Sequence, residues 1–234
     1  SDALYQEYCL SAKTAQCSHM SRTEIQCLEQ EALELAQKYD SIELWENLSD
    51  IQYYFLRDME RALVTKSKVI EMAAKENNWW EHIDKLLERM RIYWELGNET
   101  ETAKFGRCYL QAIEEYYCYD TEEFPSIEQY LNHPYTGREN TCDMIKYWIF
   151  TGRMDLAGEG LERLAQMPSC LECRRQACTV MPHVLAVYNE ALGNLEQAYK
   201  YYQALLAVLP DSYLAHYKLH ELGLKLGYPD NQTN

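Results

Sequence analysis

The chain is 234 residues long, 47% hydrophobic and 25% charged, the balance of a folded protein with a sizeable core. Its 9 Gly and 6 Pro are too few for a loop-rich all-β fold. A formal net charge of −15 argues against direct nucleic-acid contact and makes a basic protein or peptide the complementary partner, unless the acid serves solubility alone.

No apolar run approaches the roughly 20 residues of a membrane span, and no signal peptide is visible. The 9 Cys are odd in number and scattered through helical patterns, which favours free thiols in a reducing cytoplasm over a disulfide framework. Glycosylation-type triplets at Asn47, Asn98 and Asn231 arise easily by chance. The opening Ser1-Asp2-Ala3, without Met, is expected of a tag remnant or of a piece cut from a longer protein.

Apolar periodicity predicts helices in succession. Residues 2–17 carry Leu4, Tyr5, Tyr8, Ala12 and Ala15. Ser21-Arg22-Thr23-Glu24 resembles a capping box. The helix that follows puts Ile25, Leu28, Ala32, Leu35 and Ala36 on one face and its Gln, Glu and Lys residues on the other. Ser41 is the expected cap of a helix over 42–56, and a partner helix covers 59–75. A further helix runs from Trp79 to the C-terminal cap Gly97, and its return helix from about Asn98 to Tyr116. Residues 120–140 hold Pro125, Pro134 and Gly137 and read as an irregular insertion with one short helix at 126–131. Helices resume over 142–150, 155–166 and 171–192, the last with Pro182 demanding a kink or a fresh start near Val180. Helices over 195–209 and 211–226 precede a tail, 227–234, expected to be disordered.

Residues 187–210 give the clearest unit. Gly193 sits at a turn, Ala198 is a small contact residue, Tyr202 and Leu205 fill an interface, and Pro210 stops the second helix. Gly152 with Ala157, Gly97 with Thr102, Arg57 with Ala62 and Met20 with Ile25 repeat the relation. The chain thus resembles the tetratricopeptide-repeat (TPR) family, whose unit is about 34 residues of antiparallel helix pair. Its anchors at 25, 62, 102, 157 and 198 are spaced more widely, by 37, 40, 55 and 41. The wide spacing is similar to the TPR-like domains of bacterial peptide-sensing regulators.

The resemblance implies an all-α fold, an α-α superhelix or TPR-like solenoid, with a single repeat domain over 1–226. It implies a non-catalytic protein- or peptide-binding scaffold using its concave face. On that face the repeat places Asn47, Tyr54, Phe55, Arg91, Trp94, Lys146, Phe150, His183, Val187, Glu190 and Tyr217. The apolar ones also suit simple helix packing. Arg91, Lys146 and Glu190 are favoured, because a charge on an inner face needs water or a partner. Two alternatives remain: the sensor domain of a peptide-responsive transcriptional regulator, and an acidic neutralising partner of a basic protein.

Cys170, Cys173, Cys178 and His183 have ligand types suited to zinc, but in one straight helix they do not converge, so buried packing thiols are the default. His216 and His220 share a helix face without a third ligand. With no G-x-G-x-x-G, P-loop or G-x-S-x-G, no enzyme activity and no cofactor are expected.

Overall fold

One backbone device recurs between helices. Arg57, Gly97, Gly152 and Gly193 all adopt left-handed backbone, with φ of 62°, 67°, 76° and 75°. Five residues later in each case comes a buried small residue: Ala62, Thr102, Ala157 or Ala198. The left-handed residue ends one helix, and after Arg57, Gly152 and Gly193 the small residue admits close approach of the two helices that the turn joins. At Gly193 an added Cβ would meet nothing within 4 Å, so the glycine answers to its φ alone. The first anchor differs. Met20 is extended (φ −94°, ψ 148°) and follows a 3₁₀ turn, Cys17–His19, although Ile25 is buried as its repeat position requires.

The computed structural model describes residues 2–117, 138–166 and 180–228. The described residues are all-helical, and none of their helices is long and apolar enough to cross a membrane. The chain divides into two compact units, Ser1–Glu99 and Thr100–Asn234.

In the first unit, α1 (Asp2–Thr14), α2 (Arg22–Tyr39), α3 (Ile42–Asp50), α4 (Met59–Lys75) and α5 (Trp79–Glu95) follow in order. From α2 onward each packs on the next, and α1 rests on α2 and α3. The capping box forms as read: Ser21 Oγ accepts from the Glu24 amide at 3.3 Å, and Glu24 accepts from the Ser21 amide at 2.7 Å. Leu28, Ala32 and Ala36 of α2 join Leu10, Leu44 and Leu48 in one core, each buried leucine contributing about 1.5–3 kcal/mol.

Three local expectations change. Helix α1 buries Leu10 and Thr14, whereas Leu4, Tyr5 and Tyr8 (74% exposed) face solvent. Glu29 lies on the buried side of α2, accepting from Gln52 at 3.0 Å and from Arg61 at 2.7 Å. Ser41 makes no side-chain cap and donates instead to Glu7 of α1 at 2.5 Å.

The helix expected over 42–56 is not uniform. Ile51–Phe55 is a π-helical turn, in which the Leu56 amide reaches back to Ile51 O at 3.0 Å. The wider turn brings both Gln52 and Tyr53 inward. Gln52 accepts from Thr65 of α4 at 2.7 Å and donates to Glu29 of α2, so its buried amide is satisfied on both sides.

The second unit holds α6 (Glu99–Tyr117), α7 (Arg138–Phe150), α8 (Met154–Gln166), α9 (Val180–Ala191), α10 (Leu195–Val208) and α11 (Tyr213–Leu226). Helix α7 packs on α8 and α9, and α10 packs on α9 and α11. Gly160 of α8 lets that helix close on α7, for a Cβ there would stand 2.7 Å from Ile145 and 3.1 Å from Trp148. Pro182 lies in the first described turn of α9. Gly227 caps α11 with φ 72°, and Tyr228 packs edge-on against Tyr199 at 5.1 Å, so the ordered chain reaches at least Tyr228. Helix α7 begins at Arg138, inside the insertion expected over 120–140; the rest of that insertion, the 171–192 helix before Val180 and the tail from 229 lie outside the described residues.

Candidate functional site

The eight principal groove candidates fall in both units. Asn47, Tyr54, Arg91 and Trp94 belong to the first; Lys146, His183, Glu190 and Tyr217 belong to the second. Asn47 is buried and donates to Ser11 of α1 at 3.1 Å and to Glu43 O at 2.9 Å. Tyr54 and Trp94 are half-buried. Tyr217 is buried and His183 half-buried. Among the remaining apolar candidates, Phe150 and Val187 are buried and Phe55 is half-buried.

The three favoured charges each have a partner within the chain. Arg91 is buried and pairs with Glu95 at 3.2 Å. Lys146 pairs with Asp143 at 3.0 Å. Glu190 accepts from Lys218 at 2.9 Å and from the Tyr202 hydroxyl. Each therefore already meets an opposite charge inside the chain. In two pairs of adjacent tyrosines one ring is buried and its neighbour half-buried: Tyr53 beside Tyr54, and Tyr202 beside Tyr201.

The strongest chemistry in the first unit is a seam of charge between α3 and α5, each the first helix of a repeat as read from the sequence. Glu46 and Asp50 come from α3, and Glu81, Asp84, Lys85 and Glu88 from α5. Lys66 enters from α4. The Lys85 side chain is only 5% exposed and meets four carboxylates: Glu46, Asp84 at 3.0 Å, Glu88 at 3.3 Å and Glu81 at 3.4 Å. Lys66, 3% exposed, binds Glu88 at 2.6 Å and Asp50 at 3.9 Å. Further along, Tyr53 of the π turn donates to Glu95 of α5 at 2.6 Å.

Burial and mutual repulsion perturb the titrations. Burial, then the charges of Glu88 and Glu46, push the Asp50 carboxyl up to about 7 against the pull of Lys66. Burial also opposes ionisation of Glu88, but Lys66 and Lys85 outweigh it and hold that carboxyl at about 2. Lys85 is raised, since Glu88, Asp84 and Glu46 more than offset its desolvation. Burial likewise lifts the Tyr53 and Tyr54 hydroxyls well above the usual phenol range.

This seam escapes a single-helix reading. On α5 the run Glu81, Asp84, Lys85, Glu88 looks like a solvated face with i,i+3 and i,i+4 pairs. Only Glu46, Asp50 and Lys66, distant in sequence, turn it into a half-buried cluster.

Of the zinc candidates, Cys170, Cys173 and Cys178 lie outside the described residues. His216 bonds Pro210 O at 2.8 Å, and His220 is exposed. Among the described residues, no group of three or more His, Cys, Asp or Glu is placed to hold a metal ion. Cys9, Cys17, Cys27, Cys108 and Cys142 are free thiols. No family model matches the sequence, and no curated protein matches it.

Proposed function

We propose that the chain is a non-catalytic, TPR-like scaffold of the cytoplasm that binds a protein or peptide on the faces of its first helices. The observation that carries this reading is the α3–α5 seam. Neighbouring first helices meet through charged and aromatic side chains, whereas the adjoining second helices bury Ala32, Ala36, Ala62 and Ala73. A seam that cannot dehydrate fully without partners suits an aqueous binding face, while an alanine-lined contact suits permanent packing. The recurrent left-handed turn followed by a buried small residue supports the TPR-like stacking. In the second unit Glu190 of α9 and Lys218 of α11 repeat the first-helix ion pair.

Five seam carboxylates face two lysines, so the partner is assigned basic character. The same excess favours a second reading, capture and neutralisation of a basic protein. Affinity purification from the native host tests the face. Glu43→Lys with Asp84→Asn alters exposed first-helix charges; Glu60→Lys with Glu71→Gln makes a matched change on α4. The first pair is expected to lose a partner that wild type and the second pair retain. Equal recovery by all three proteins would refute the assignment.

A further inference from the structure

The seam's arithmetic leaves one carboxylate poorly served. Lys85 is drawn to Glu46, Glu81, Asp84 and Glu88. Lys66 makes its short contact, 2.6 Å, with Glu88. Among the described residues, Asp50 has only the 3.9 Å approach of Lys66 as an ion pair, with its side chain 25% exposed. Three negative charges in excess within a half-buried cluster favour a proton on the least stabilised carboxyl, which is Asp50.

Position gives that proton structural leverage. Asp50 is the last residue of α3 and immediately precedes the π-helical turn Ile51–Phe55. Lys66 stands on α4 and Glu88 on α5, so a single ammonium ties the end of α3 to two other helices. The groups facing Asp50 are Glu46 on its own helix, Tyr54 of the π turn, Lys66 of α4, and Lys85 and Glu88 of α5. Of the other helices packed on α3, α1 brings Glu7, taken up by Ser41 and adjoining Glu43. Helix α2 brings Glu29, taken up by Gln52 and Arg61.

We propose that Asp50 and Lys66 form a proton-operated latch at the head of the π-helical turn. With the Asp50 carboxyl neutral, Lys66 is committed to Glu88 and ties α4 to α5. When Asp50 releases its proton to solvent, the carboxylate competes for the same ammonium, draws the end of α3 toward α4 and shifts the turn that carries Tyr53 and Tyr54. The O–H bond is the only bond broken, and water or buffer takes the proton. Burial places the exchange near neutrality. Ionisation also adds one negative charge to the seam, which would strengthen its hold on a basic partner; that consequence rests on the binding reading, whereas the latch does not.

The test uses the full chain without any partner. Side-chain carboxyl NMR follows Asp50, and hydrogen exchange, corrected for intrinsic base catalysis, follows the amides of Ile51–Phe55, both between about pH 5 and 9. Asp50 is expected to titrate near pH 7. The π-turn amides should change their protection about threefold or more with the same midpoint. Lys66→Met should move the Asp50 midpoint upward by about one pH unit or more, because it removes the one cation within 4 Å among the described residues. Asp50→Asn should abolish the step in protection. Ionisation of Asp50 below about pH 5, an unmoved midpoint in Lys66→Met, or titration near neutrality with unchanged π-turn protection would each overturn the latch. If a variant fails to fold, the wild-type titration decides alone. Loss of the latch leaves the host-partner experiment standing, and the converse holds.

Discussion

Replacing Lys85 with methionine removes an ammonium while keeping most of the side-chain volume. Lys85 has three contacts between 3.0 and 3.4 Å, besides Glu46. Each such contact is worth about 5 kcal/mol at an effective dielectric constant of ~20, but mutual repulsion of the carboxylates and lost hydration cancel most of the sum. Removing one member of a buried ion-paired group costs about 3–5 kcal/mol, and that is the destabilisation expected near neutral pH. The sign with pH follows from two shifts. Lys85 is raised, so its contribution is present in full below the ordinary lysine range and is lost only in strong alkali. Glu88 is held at about 2, so its stabilisation is present above the ordinary carboxylate range and fades as pH falls toward that value. The difference between wild type and variant should therefore shrink in acid, by about 1 kcal/mol between pH 7 and pH 4 and more steeply as the pH approaches 2. Urea unfolding followed by tryptophan fluorescence suits the assay, since Trp45, Trp79, Trp80 and Trp94 belong to the first unit and Trp148 to the second. A loss under about 1 kcal/mol at pH 7, or one independent of pH, would refute the electrostatic account of the seam.

Other consequences follow from single residues. Gly160→Ala should cost about 1–3 kcal/mol by overpacking Ile145 and Trp148, and Ile145→Val should recover part of it in urea midpoints. Gly193→Ala should cost only about 1 kcal/mol, since its φ of 75° is penalised but its Cβ meets open space. Arg57→Gly should raise the thermal midpoint modestly, by about 1 kcal/mol of stability or less, because Arg57 holds φ 62° where glycine is unstrained. Asp50→Asn should stabilise the first unit most above pH 7. The raised carboxyl contributes least where folding must accommodate its charge, a pH-dependent gain of up to about 4 kcal/mol between pH 4 and 8 in unfolding free energies.

Much of the helical architecture was legible because its signals are local. The Gly193–Ala198 relation, transferred to Arg57–Ala62 and Gly152–Ala157, locates turns whose left-handed backbone and buried small residues the structure displays. It works even with arginine at the turn, since spacing and the small residue carry the pattern. The capping box at Ser21 and the cap at Gly97 were readable for the same reason. Tertiary partners decided what was missed. In α1 the exposed Leu4, Tyr5 and Tyr8 outnumber the buried Leu10 and Thr14, so apolar periodicity points to the wrong face. Glu29 reads as a surface acid until Gln52 and Arg61 arrive from other elements. Nothing in IQYYF announces a π turn, whose extra residue is accommodated by Gln52 reaching Thr65 and Glu29. The candidate groove residues were read from helix periodicity alone, which does not show which charges meet a counter-charge inside the chain. Arg91, Lys146 and Glu190 satisfy one another's kind within the chain, whereas the crowded carboxylates of Glu46, Asp50 and Glu88 emerge only from the packing of three helices.

The most direct test of the binding reading is a hydrogen-exchange footprint of the full chain with the partner recovered from its host. Protection should concentrate on α3, the π turn and α5, residues 42–55 and 79–95, and fall away as added salt screens the seam. Protection confined to α2 and α4, with the first helices unchanged, would contradict it.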